Sequence, residues 1–271
     1  MSNSKYAEES RIRKIIIWPL VTVVRIILLF FYRFSKSAKE ISKLQNKYSG
    51  QRCFIIGNGP SLSLEDLSIL KNHITFASNR IFDVFENTDW RPTFYLTMDR
   101  KVITEYYDSI KKLNIKYKFI TLLSIMNRAK RADGFTFLYI YGKYRINDCS
   151  YEKKGHSRDI SKYISTAYTV SATAIELALY MGFTEIVLVG IDHSYSHTID
   201  RNKIINENNS INNYNITNAH KRMVIIPIDA MESCYKYFEE YTRKTGCAKI
   251  YNATRGGKLE VFERVDFDSL F

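Results

Sequence analysis

Gly57, Asn58 and Gly59 stand between a short apolar run, residues 53–56, and the polar stretch Pro60-Ser61-Leu62-Ser63. This reads as a buried strand that breaks into a tight turn just before a helix, and the amide groups of such a turn suit a phosphate. Asn58 adds a side chain that donates and accepts at once, fit for a sugar, a base or a leaving phosphate. Ser61 or Ser63 can cap the helix, and Asp66 stands where it would close a capping box with Ser63. The spacing is neither the Gly-x-Gly-x-x-Gly of dinucleotide folds nor a Walker loop. A structural turn in the left-handed region is the alternative use of the two glycines.

Three further polar clusters follow apolar runs: Asn79-Arg80, Asp99-Arg100 and Gly190-Ile191-Asp192-His193. Asp99 and Asp192 could hold a divalent cation with a nucleotide diphosphate, fix ribose hydroxyls or orient a base. Asn and Asp also end strands simply to make turns. His193 and His197 flank Ser-Tyr-Ser without a third ligand at useful spacing, so no zinc site is expected. His220, in Asn-Ala-His-Lys-Arg, has the ordinary chemistry of a general base, with Lys221 and Arg222 beside it for phosphate. Asn-Ala-Thr-Arg-Gly-Gly at 252–257 is either another backbone cradle or a turn.

The elements that must position these groups alternate. Strands are expected at 53–56, 74–77, 94–98, 118–122, 135–139, 185–189 and 249–251. Helices are expected at 63–72, 102–113, 171–181 and 228–245. This is the pattern of an α/β fold with an open, mostly parallel, doubly wound Rossmann-like sheet, whose ligands bind beyond the carboxyl ends of the strands. Two polar segments interrupt it, 142–165 and the Asn-rich 196–217, and the second is expected to be a lid.

The chain has 271 residues and a net charge of +12. Residues 1–49 carry ten basic residues against three acids, more than half of the excess. Within them, 15–32 is an apolar run broken by Pro19, Thr22 and Arg25 and flanked on both sides by Arg and Lys. A helix lying in the interface of an anionic membrane is the expected reading, ahead of a single span or a core helix. Residues 36–48 read as a polar linker helix, which divides the chain into an anchor at 1–49 and a catalytic domain at 50–271. The four cysteines show no Cys-x-x-Cys pair or zinc spacing, in keeping with a reducing cytoplasm. Nucleic-acid binding is not expected, because the charge sits beside the apolar run without interleaved stacking aromatics.

With these residues in view, the domain resembles the MptE-like family. The marks are Ile-Gly-Asn-Gly-Pro-Ser-Leu at 56–62, Asp99 after a strand, Gly-Phe-Thr-Glu-Ile-Val-Leu-Val-Gly-Ile-Asp at 182–192, and Tyr-Asn-Ala-Thr-Arg-Gly-Gly at 251–257. That family includes archaeal 6-hydroxymethylpterin pyrophosphokinases and is similar to the central domain of Maf flagellin glycosyltransferases. It is also similar to the bacterial sialyltransferases of glycosyltransferase family 42, which share the glycine turn and the Gly-Ile-Asp strand end. From the sialyltransferases the resemblance implies a CMP donor at Gly57, Asn58, Gly59 and Asn79, a contribution from Ser171 at the start of the central helix, and His220 as catalytic base. Asp99 stands where the sialyltransferases have Asn, and the lid sequence differs from theirs. Asp99 is the MptE-like feature and suits a Mg-nucleotide.

The resulting expectation is a membrane-associated, sialyltransferase-like glycosyltransferase on the cytoplasmic face of the inner membrane. It would move a CMP-activated nonulosonic or related sugar to a lipid-linked or surface-glycan acceptor, with no metal or other cofactor. Amides of Gly57–Ser61 would hold the donor phosphate, and Asp99 and Asp192 would complete the nucleotide site. The alternatives are a diphosphotransferase using ATP and Mg²⁺, with Asp99 and Asp192 as ligands, and an inactive scaffold in glycan assembly.

Overall fold

Residues 18–122, 133–141, 155–165, 168–199, 205–207 and 226–271 are described in a computed structural model. In chain order the elements are α1 (Trp18–Arg33), α2 (Lys36–Ser42), β1 (Arg52–Ile56), α3 (Leu64–Ile69), β2 (Thr75–Ser78), β3 (Phe94–Thr97), α4 (Arg100–Lys112), β4 (Tyr117–Thr121) and β5 (Thr136–Leu138). They continue with β6 (Ile140–Tyr141), β7 (Ile164–Ser165), α5 (Val170–Tyr180), β8 (Glu185–Val189), β9 (His197–Ile199), β10 (Ile205–Glu207), β11 (Ile226–Pro227), α6 (Ile228–Thr245), β12 (Lys249–Asn252) and β13 (Glu263–Arg264).

One eight-stranded sheet runs in the order β13-β12-β8-β1-β2-β3-β4-β5, and every neighbouring pair is parallel. Apart from the exposed edge strand β13, its strands are apolar in near-continuous runs because both faces are covered, as parallel sheets require. Cys53, Ile55, Phe76, Phe94, Phe119, Ile186 and Leu188 share one core with Ile175 of α5 and Phe238 of α6. Phe54, Ile56, Ala77, Tyr95, Ile120, Val187 and Val189 face the other way, onto Leu67 of α3 and Ile103 and Tyr107 of α4. The alternation along each strand therefore feeds two separate cores. From β1 the chain walks outward to β5, then returns to lay β8 on the other side of β1. The order reverses between β1 and β8, and this switch point is where such sheets leave a crevice.

Local chemistry starts the helices where the sequence indicates. Ser63 and Asp66 form the reciprocal capping box of α3. Asp99 caps α4 by accepting from the Lys101 amide at 2.7 Å, so that helix begins at Arg100, ahead of the apolar periodicity. Thr169 caps α5, whose C-terminal end is closed by Gly182 at φ 86°.

The segment read as a polar linker, 36–48, is packed into the domain. Ile41 and Leu44 are fully buried in the first core, and Ala38 completes an apolar stripe at three-residue spacing among the lysines. Ser37 Oγ accepts from the Phe137 amide of β5, while the Asn46 and Tyr48 amides donate to Tyr180 and Met181 at the end of α5. The Tyr48 ring stacks on Phe183, with centroids 4.9 Å apart. This stretch covers the sheet edge at β5 and the C-terminal end of α5.

α1 is attached more lightly. The Tyr32 hydroxyl donates to the Phe137 carbonyl at 2.8 Å, and its ring packs with Ala38 and Tyr139. Leu28 and Leu29 also pack there, but Val23, Val24, Ile26, Ile27, Phe30 and Phe31 face solvent, as does Phe34 just beyond the helix, with Phe31 67% and Phe34 65% exposed. Among the described residues no helix is long and apolar enough to cross a membrane. Of the expected lid at 196–217, the described residues include β9 and β10, which pair antiparallel; β9 also pairs with β11 in a small three-stranded sheet.

Candidate functional site

The carboxyl ends of β1, β2, β3 and β8 and the start of α5 surround a cavity of about 370 Å³. Gly57, Asn58, Gly59, Asn79, Asp99, Ser171 and Asp192 all line it. The four strand-end clusters thus converge, because the parallel sheet brings strand ends far apart in sequence to one edge. The cations of two clusters are placed elsewhere: Arg80 pairs with Asp83 and stacks over Tyr106, and Arg100 opens the first turn of α4. Ser61 is outside the cavity wall, where its hydroxyl donates to Asp192 Oδ2 at 2.7 Å. His220 lies outside the described residues.

The glycine turn does something other than present a row of free amides. The Gly57 amide donates to the Val189 carbonyl at 2.8 Å and the Gly59 amide to the Gly190 carbonyl at 2.9 Å. Both bonds stitch the end of β1 to the end of β8, and Pro60 has no amide hydrogen to offer. A Cβ on Gly57 would lie 2.1 Å from the Gly190 oxygen, and one on Gly59 would lie 1.7 Å from Asp192 Oδ2. These glycines are required by the closeness of two strand ends. Two of the amides expected to hold phosphate are therefore already engaged, and the short helix behind the turn has its own capping box.

Asp192 is built into the same seam. It is nearly buried, accepts from Ser61, and its backbone carbonyl accepts from the Lys258 amide at 2.7 Å. Thr254 Oγ1 accepts from the Ile191 amide, and Gly257 approaches so closely that its Cβ would be 2.9 Å from Asp192 Cα. The motif at 252–257 is thus a brace behind Asp192. Among the described residues no three His, Cys, Asp or Glu side chains gather as a metal cluster would need.

The polar groups left open face the ligand space. Asn58 Nδ2 donates to the Ser78 carbonyl, which fixes the side chain and, among the described residues, leaves its Oδ1 as an open acceptor. Asn79 holds φ 52°, accepts from Thr97 through Oδ1 and accepts from the Tyr95 hydroxyl through its carbonyl, leaving Nδ2 as donor. Among the described residues the non-glycine positions with positive φ are Asn46, Asn79 and His193, and the last two both line the cavity. Backbone strain of this kind gathers at binding sites.

On the opposite wall stands Ser171, the residue the sialyltransferase resemblance implies, together with Thr169 and Tyr235, which no motif marks; Thr169 Oγ1 lies 3.4 Å from the Tyr235 hydroxyl. Burial pushes the Tyr235 hydroxyl up to about 12, so it stays a neutral donor. The first turn of α5 faces the cavity, and the amides and dipole of a helix start favour an anion. His193 is also in the wall. Burial holds its imidazole below the usual histidine range, with Glu232 opposing the shift.

A family model described as "6-hydroxymethylpterin diphosphokinase MptE-like" matches residues 30–198. No curated protein matches the chain. Among solved structures, the chain is similar to the Maf glycosyltransferase from Magnetospirillum magneticum AMB-1, at 12% identity and a TM-score of 0.48. That likeness covers 87% of this chain and 38% of the other, so the chain spans well under half of the Maf protein. It is similar also to a UDP-glucose 4-epimerase from Thermotoga maritima, solved with UDP-glucose, at 11% identity and a TM-score of 0.29, covering 74% of this chain and 54% of that one.

Proposed function

The chain belongs to the MptE-like family, and we propose that it is a glycosyltransferase moving a sugar from a nucleotide donor, CMP-linked, to a lipid-linked or surface-glycan acceptor. The observation that carries this reading is the cavity at the β1–β8 switch point. Its walls present carboxamides and hydroxyls, from Asn58, Asn79, Thr169 and Ser171, where a nucleoside and a sugar need directional partners.

In this reading Asn58 Oδ1 and Asn79 Nδ2 orient the nucleotide. The donor phosphate is met by the Ser171 hydroxyl and the amides that open α5. His220, the base implied by the sialyltransferase likeness, takes the proton of the acceptor hydroxyl. That oxygen bonds to the anomeric carbon while the bond from this carbon to the phosphate oxygen breaks, and the nucleotide leaves with the electron pair. Lys221 and Arg222 follow His220 in sequence and are available to the leaving charge.

The exposed apolar face of α1 supports work at an anionic membrane, on the cytoplasmic face of the inner membrane. Arg33, Lys36 and Lys39 follow that face and would meet lipid headgroups. The anchor is then α1 with the residues before it, ahead of a catalytic domain that includes α2. The full chain should float with phosphatidylglycerol vesicles and not with phosphatidylcholine vesicles, and Phe31→Asp with Phe34→Asp should remove most of the bound fraction. A full chain that floats with neither kind of vesicle would refute the anchor.

The second reading, an ATP-dependent diphosphotransferase, is favoured by the family's own description. Mg²⁺ would be held by Asp99, whose second carboxylate oxygen stays open beside the cavity, and by Asp192, which is already engaged by Ser61. Calorimetry on the full chain with CMP, UDP and ATP, with and without Mg²⁺, separates the two. Binding of CMP without metal supports the glycosyltransferase; binding of ATP alone, and only with Mg²⁺, sinks it.

A further inference from the structure

His193 leaves β8 directly at the switch point, in the wall of the cavity. It is 8% exposed, its backbone holds φ 50°, and among the described residues neither Nδ1 nor Nε2 has a hydrogen-bond partner. A buried imidazole with both nitrogens unsatisfied is unfavourable, and so is a left-handed backbone at a residue with a Cβ. Both are understandable where a ligand completes the arrangement.

The surroundings narrow the ligand. The rings of Tyr195 and Tyr235 stand nearly perpendicular to the imidazole, with centroids 5.8 and 5.7 Å away. Burial disfavours the charged form of the ring, and a neutral imidazole offers one N–H and one lone pair. A phosphate or carboxylate oxygen only accepts and would satisfy one of these two groups. A hydroxyl both accepts and donates, and a sugar ring carries several.

We infer that His193 is a binding residue for the sugar of the donor, hydrogen-bonding its hydroxyls through both ring nitrogens. This rests on the nucleotide-sugar reading above. The nucleoside and phosphate remain with Asn58, Asn79 and the start of α5, so His193 discriminates between a bare nucleotide and a nucleotide sugar.

Calorimetry on the full chain compares CMP with CMP-N-acetylneuraminate, and UDP with UDP-glucose, for wild type, His193→Phe and His193→Asn. The wild type should bind one sugar nucleotide more tightly than its bare nucleotide. His193→Phe should lose about tenfold in affinity for that sugar nucleotide alone and melt no lower than wild type. His193→Asn, which keeps a donor and an acceptor and tolerates the left-handed backbone, should retain part of the preference, and it carries the test if the Phe variant does not fold. Unchanged sugar-nucleotide affinity in both variants overturns the inference. So does parallel loss of both ligands with a lowered melting temperature, which marks a structural role, or a wild type that binds the bare nucleotide with no preference for its sugar. A wild type that binds no nucleotide removes the nucleotide-sugar reading, and this inference with it.

Discussion

Gly57→Ala should destabilise the protein by about 3 kcal/mol, lower its melting temperature by roughly 6–10 °C and weaken nucleotide binding at least tenfold. The added Cβ would sit 2.1 Å from the Gly190 oxygen and 2.7 Å from the Gly190 carbonyl carbon. Those atoms are backbone, so no side chain can rotate away. β8 is the neighbour of β1 over its whole length, from Arg52 opposite Glu185 to Ile56 opposite Val189. Relief therefore requires the two strand ends to part, which breaks the bond from the Gly57 amide to Val189 and opens the floor of the cavity. Gly246→Ala is the control: it too has a left-handed φ, of 64°, but nothing lies within 4 Å of its added Cβ. It should cost about 1 kcal/mol and leave binding alone. Scanning calorimetry and a CMP titration check both, and a Gly57→Ala variant that melts and binds like the control would show that the seam is not tight.

Glu176→Ala should cost about 3 kcal/mol, most of it in the segment that leads into α5. Glu176 sits on the inner face of α5 with no exposed surface, and its Oε1 accepts from the buried amides of Ser157 and Ser165 at 2.8 and 3.2 Å. Among the described residues, removing the carboxylate leaves the Ser165 amide without its side-chain acceptor and the Ser157 amide with the Ser165 hydroxyl alone, at 3.0 Å. Each buried donor left unpaired costs about 1–3 kcal/mol, and the lost side-chain volume adds to it. Glu176→Gln keeps an acceptor in place and should recover much of the loss. Hydrogen exchange should quicken at Ser157 and Ser165 in the Ala variant while amides of β1 and β2 stay protected. Uniform loss of protection across the sheet would contradict a local role.

Much of this architecture is legible in the sequence because parallel strands buried on both faces appear as uninterrupted apolar runs with polar ends. Residues 185–189 and 228–245 fall on β8 and α6 end to end. The neighbours are another matter, since periodicity does not say that β8 crosses back to lie beside β1. For the same reason Gly57 and Gly59 read as donors to a phosphate. Only the strand order reveals that the carbonyls of Val189 and Gly190, at the end of β8, occupy both of their amides. Residues 36–48 read as a linker because lysines dominate them, while the three apolar positions Ala38, Ile41 and Leu44 are what the core registers. Thr169 and Tyr235 carry no motif at all; they meet 66 positions apart only once α5 and α6 pack. In the sequence His193 is notable only for its spacing to His197; what sets it apart is its burial and, among the described residues, its unpartnered nitrogens, neither of which a sequence displays.

The pairing of β1 with β8 has a consequence for the order of events in synthesis. Arg52 and Glu185 form an ion pair across 133 positions of chain, and the switch point lies at the far end of the two strands they begin. A nascent chain can assemble β1 through β5 from nearby contacts, but one half of the cavity is missing until β8 has left the ribosome. Closing so long a loop is slow compared with forming local contacts. Ligand-binding competence should therefore arise late and abruptly, after most of the polypeptide already exists, and chains arrested before residue 190 should hold helices and strands yet be blind to nucleotide.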